Sequence, residues 1–141
     1  MSKAHWHESS KAVWEQHAEL NAITGRLLAM ANDGFDWFDL DRELTRLDRL
    51  LARHFALEEV GEYLRDVRER LPEEAPLIRR LGEAHVSLRE TLRHMRHLAV
   101  DKENAAAVRD ELVGWLDVLA EHEAAENRLL SLAFPAEAAA T

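Results

Sequence analysis

The chain of 141 residues contains no cysteine. Disulfides, thiolate metal sites and thiol nucleophiles are therefore excluded. Breakers are scarce: five glycines and three prolines leave few places where a regular backbone must stop. No apolar run approaches the ~20 residues that a membrane-spanning helix needs. The longest is about Leu27–Ala31. The opening stretch MSKAHWHESS lacks the apolar segment of a secretory signal, so a cytoplasmic protein is expected. Basic residues are in the minority, 18 Lys and Arg against 27 Asp and Glu, a net charge of −9. That balance speaks against nucleic acid and anionic membranes as partners, since both attract a basic patch.

Histidine, by contrast, is plentiful, with eight residues. Together with the carboxylates these are the metal-binding groups available. Their placement follows from the helices. Three interruptions divide the chain: Asn32–Asp36, Leu71–Pro76 and Val100–Asn104. The segments between them are rich in Ala, Leu, Glu and Arg and poor in β-branched residues, which predicts four helices. Each carries apolar residues in alternating steps of three and four, the mark of one buried stripe. Short links between long amphipathic helices predict an all-α fold, an up-down-up-down antiparallel four-helix bundle. The bundle is expected over residues 10–133, after an N-terminal extension at 1–9 and before a flexible tail at 134–141.

Each stripe is interrupted by one histidine: His17, His54, His85 and His122. Two helices add a glutamate one turn later, in His54-x-x-x-Glu58 and His122-x-x-x-Glu126. Residues four apart share a helix face, so each pair can aim both polar groups at one point in the interior. In an antiparallel hairpin, residues equidistant from the turn lie side by side. The midpoint of His17 and His54 falls between residues 35 and 36, and that of Glu58 and His85 between 71 and 72. The midpoint of His85 and His122 falls between 103 and 104. All three lie in the interruptions, so the six side chains are expected at one level. Buried carboxylates and imidazoliums without compensation cost several kcal/mol each, and such groups pair or bind metal. Six ligands exceed what one tetrahedral zinc takes and suit two ions with positions left open. A buried His–Glu hydrogen-bond network would instead match each glutamate to one histidine, and two histidines lack such a partner. A ferritin-like site uses Glu-x-x-His, the reverse order at a different spacing.

The series His, His-x-x-x-Glu, His, His-x-x-x-Glu, one element per helix, resembles the hemerythrin-like HHE cation-binding domain family over roughly residues 10–133. The resemblance implies a non-haem di-iron centre, two iron ions joined by carboxylate and oxo or hydroxo bridges. Its partner is a small diatomic or peroxide ligand. It makes His17, His54, His85 and His122 terminal ligands and Glu58 and Glu126 bridges. Two positions depart from the oxygen-carrying hemerythrins. Where those have a further histidine one turn after the third-helix ligand, this chain has Arg89. Where they end in a His/Asp pair at wider spacing, it has His122 and Glu126. The departures shift the expectation from reversible oxygen carriage toward binding of dioxygen, nitric oxide or iron as sensor, buffer or store. A di-iron redox enzyme, reducing peroxide or nitric oxide or oxidising iron, is the alternative, although no separate acid/base pair is legible. An extra carboxylate ligand would come from Glu59 or Glu62.

Other residues carry ordinary expectations. His94 and His97 point away from the His85 face and should be solvated, as should His5 and His7 at the terminus. Trp14, Trp115, Phe55 and Leu119 lie within reach of the ligand level and should wall it. Gly61, one turn below Glu58, either opens space for a ligand or lets helices approach closely.

Overall fold

The computed structural model describes residues 8–34, 36–60 and 63–135. His5, His7, Gly61, Glu62 and the tail from 136 onward therefore lie outside the described residues. Five α-helices and no strand appear among those described: α1 (Glu8–Asp33), α2 (Trp37–Val60), α3 (Tyr63–Arg70), α4 (Ala75–Leu98) and α5 (Ala105–Ala133). The second of the four expected helices corresponds to α2 and α3, with residues 61–62 between them outside the described residues.

The interruptions read from sequence act as caps. Gly34 has φ +104° and donates its N–H to the Met30 carbonyl, ending α1 in a conformation that favours glycine. Asp36 accepts from the Phe38 N–H and so starts α2. Asp101 does the same for Glu103 before a short 3₁₀ turn at Lys102–Asn104, and Asn104 donates to the Leu98 carbonyl at the end of α4. Pro72 opens another 3₁₀ turn, Pro72–Glu74, that leads into α4. None of these turns requires long-range contacts to form.

The four long helices pack in a ring, α1 on α2, α2 on α4, α4 on α5 and α5 on α1, which fits an up-down-up-down bundle. The short α3 leans on α5 and α4. Most positions of the stripes are buried; Ile23 rather than its neighbour Thr24 reaches the core on α1, and Leu81 on α4 is only half-buried. The apolar core is in two parts. One cluster, including Leu20, Leu44, Leu92 and Leu112, fills the end near Gly34 and Asp101. The other, including Val13, Val67, Ile78 and Leu130, fills the opposite end. The histidine level lies between them.

Phe134, expected in the tail, belongs to that second cluster and is fully buried. The Arg70 guanidinium sits 4.4 Å above its ring and donates to the Ala133 carbonyl at 2.8 Å, tying α3 to the end of α5. Truncating Phe134→Ala should therefore destabilise the protein by about 3–5 kcal/mol in urea denaturation. Leu132→Ala, on the exposed side of the same turn, should change stability by no more than ~0.5 kcal/mol.

Candidate metal centre

Burial at the middle of the bundle is what makes its polar residues informative. His17, His54, Glu58, His85, His122 and Glu126 are all buried. α1 contributes one of them, α2 and α5 two each, and α4 one. They form two four-residue groups, His17, His54, Glu58 and Glu126 in one and Glu58, His85, His122 and Glu126 in the other. Within each group, one nitrogen or oxygen per residue lies within 4.8 Å of all the others. Glu58 and Glu126 belong to both, so the structure brings all six sequence-predicted residues together around two adjoining points.

The two groups are built alike. The His17 and His54 rings meet edge to face, centroids 4.8 Å apart at 65°, and the His85 and His122 rings do so at 5.0 Å and 66°. In each pair the Nε2 atoms turn inward, toward the shared carboxylates. His54 Nε2 is 3.1 Å and His85 Nε2 3.3 Å from Glu58 Oε1. His17 Nε2 is 3.5 Å and His122 Nε2 3.4 Å from Glu126 Oε1. Phe55 stacks flat on His85, 3.9 Å between centroids, and walls the site as expected.

Outer partners hold three of the rings. His17 Nδ1 donates to Asn127 Oδ1 at 2.5 Å, His54 Nδ1 to Gln16 Oε1 at 2.9 Å, and His85 Nδ1 to Glu59 Oε1 at 3.2 Å. A proton on Nδ1 leaves Nε2 with a bare lone pair, the form in which imidazole binds a metal. Glu59 thus stands behind His85 and outside both groups, rather than as the extra ligand the sequence suggested. Gln16 and Asn127 were not legible as site residues from spacing. Each sits beside a stripe position, next to His17 and Glu126, and that adjacency is the only signal the sequence holds. Arg89, where oxygen carriers have histidine, turns instead toward Asp48, 3.5 Å away.

Burial opposes charge on two of the imidazoles. Burial pushes the pKa of His54 down to about 4 against the opposing pull of Glu58, and pushes that of His122 down to about 4 as well, with His85 adding to it. Neutral imidazoles cannot neutralise the carboxylates beside them. His17 Nε2 and His54 Nε2, both lone-pair atoms in this tautomer, face each other at 3.1 Å. His85 Nε2, His122 Nε2 and Glu126 Oε1 are buried with no hydrogen-bond partner among the described residues. A metal ion between these atoms would satisfy all of them at once, and a nitrogen and oxygen donor set of this kind fits iron. A seventh polar group, Glu123, is also buried beside the layer, and burial lifts its pKa to about 6 against the influence of His17 and His54. Its place off the main stripe hid it from sequence reasoning. His94 and His97 are exposed, as expected.

Comparison with known proteins finds one family: the hemerythrin HHE cation-binding domain, matched over residues 9–133. No curated protein and no solved structure matches the chain. No helix among the described residues is long and apolar enough to cross a membrane.

The buried imidazoles make the metal-free protein acid-sensitive. His54 and His122 titrate near 4 when folded and at the ordinary 6.5 when unfolded, so unfolding takes up protons in that interval. Their contribution to stability is intact above 6.5 and lost as pH falls through 4. Glu123 acts oppositely, its contribution intact below 4.5 and lost as pH rises through 6. Two imidazoles outweigh one carboxyl. The melting temperature of metal-free protein, followed by circular dichroism, should therefore fall steadily from pH 6.5 to pH 4, and a level profile there would contradict this account.

Proposed function

Because the chain belongs to the hemerythrin HHE cation-binding domain family, we propose that it is a non-haem di-iron protein whose bundle interior binds dioxygen, nitric oxide or iron as a sensor, buffer or store. The observation that carries this reading is the pair of four-residue groups sharing Glu58 and Glu126. Each group offers two imidazole nitrogens and two carboxylates, enough to hold one ion and leave a position for a small ligand. His17 and His54 would hold one iron, His85 and His122 the other, with Glu58 and Glu126 spanning both. When bound, two adjacent irons supply reversible electron exchange and an affinity for diatomic molecules.

The chain's own residues do the rest. Gln16, Asn127 and Glu59 fix the ring orientation and tautomer of three histidines, as outer partners of metal-bound imidazoles do. The two apolar clusters above and below the layer keep bulk water from the ligands. Imidazoles that bind a cation do so through a lone pair and add no charge, so two ionised carboxylates would give the donor set about −2, which two cations would convert to a positive centre in an acidic protein.

Purified, reconstituted protein should contain roughly two irons per chain, and the reduced form should gain visible absorption on mixing with oxygen or peroxide. Glu126→Gln, which weakens both groups, should lower iron content more than His122→Ala, which touches one. A folded wild-type protein that stays colourless after reconstitution, with no iron by elemental analysis, would overturn the proposal.

A further inference from the structure

A small cavity reaches the polar layer from the side of α3 and α4. Its walls include Leu64, Val67, Ile78, Leu81 and Gly82, and it touches the carboxylate residue Glu126. Its volume is about 20 Å³, room for about one water-sized molecule. A buried water stays in place where roughly two to four polar groups hold it. Among the described residues this cavity offers one such side chain, Glu126. An apolar molecule of two atoms suits it better than water does.

The cavity shares walls with the surface. Leu64, Ile78 and Gly82 also line an open groove of about 480 Å³ there, next to Pro76 and the charged Glu59, Arg68 and Arg79. These three shared residues are what stands between solvent and Glu126 on this side. Gly82 lies inside α4, where glycine costs helix stability. A Cβ at Gly82 would meet no atom within 4 Å, so no close backbone approach demands the glycine. What its missing side chain leaves is space. A second groove, of about 260 Å³, meets the layer at His85, and there Glu59, Arg89, Glu90 and Arg93 stand among apolar residues such as Phe55 and Val86. Water held by those four charged side chains competes with an apolar diatomic, whereas the small cavity has Glu126 as its one charged wall among the described residues.

We propose that the cavity beside Glu126 is the entry and holding site for a small apolar diatomic ligand, dioxygen or nitric oxide, and that Gly82 sets its size limit. This assignment rests on the di-iron reading for its purpose, while the cavity itself is independent of metal. Only a molecule of about this size passes between Leu64, Ile78 and Gly82 to the carboxylate common to both four-residue groups.

Two measurements test it. In metal-free protein under oxygen pressure, the paramagnetic gas should speed relaxation of the methyl groups of Val67 and Leu129, buried in the cavity wall, more than that of Leu44 and Leu92, equally buried in the other cluster. Gly82→Leu should abolish the difference. In iron-loaded, reduced protein mixed rapidly with nitric oxide, Gly82→Leu should slow association at least about tenfold. Gly82→Ala should fall between, with iron content unchanged in both. Ala56→Leu, in the charged groove, should associate at the wild-type rate. Unchanged association in Gly82→Leu at full iron content, or slowing confined to Ala56→Leu, would overturn the cavity and leave the di-iron reading intact. Wild-type protein without iron would defeat that reading, and the methyl relaxation would still decide for or against the cavity. If Gly82→Leu fails to fold, Gly82→Ala and the wild-type relaxation pattern decide in the same way.

Discussion

Two carboxylates and four imidazoles share one layer between two apolar clusters, and the rest of the structure is arranged around that fact. Burial drives His54 and His122 to the neutral form, so these two cannot balance Glu58 and Glu126 by taking up protons near neutral pH. Hydrogen bonds within the layer do not balance them either, since His85 Nε2, His122 Nε2 and Glu126 Oε1 find no donor or acceptor among the described residues. The layer also splits the hydrophobic core into two clusters that do not merge. A polar seam of this size opposes folding unless something compensates it. On the proposed reading, cations at the two four-residue groups would supply the charge, and the inward nitrogens the geometry.

The arrangement is close to twofold. α1 and α2 bring one pair of histidines and α4 and α5 the other, with nearly the same ring separation and tilt. The shared carboxylates come from α2 and α5, one from each half. Outer contacts break the symmetry: amide oxygens hold His17 and His54, a half-exposed carboxylate holds His85, and Phe55 stacks on His85 alone of the four. The two four-residue groups are therefore unequal in their surroundings while alike in their inner residues. The small apolar cavity meets this centre at Glu126, and the charged groove meets it at His85.

Much of this is legible in the sequence because helices are periodic. A histidine every helix in the buried register, followed twice by glutamate one turn on, places six polar groups on inward faces before any packing is considered. The turns at Gly34 and Asp101 close through contacts local in sequence, so their positions set which residues lie level. Contacts between residues far apart are another matter. Asn127 meets His17 across 110 residues of chain and Gln16 meets His54 across 38, and neither amide lies on its helix's main stripe. Glu123 is buried because α5 meets two neighbours at once, which widens its covered face beyond one row. The burial of Phe134 depends on α3 returning to cover it with Arg70.

The sequence by itself determined the all-α class, the helix ends outside residues 61–62, and the set of six residues at one level, because capping and the 3.6-residue period are local properties. Only the tertiary structure decided how those six divide into two groups with Glu58 and Glu126 common to both. It alone decided which imidazole nitrogen faces inward and where a small apolar cavity touches the layer. Those outcomes depend on the rotation of each helix about its axis and on distances of a few ångströms between different helices. Residue spacing along one chain carries no record of either.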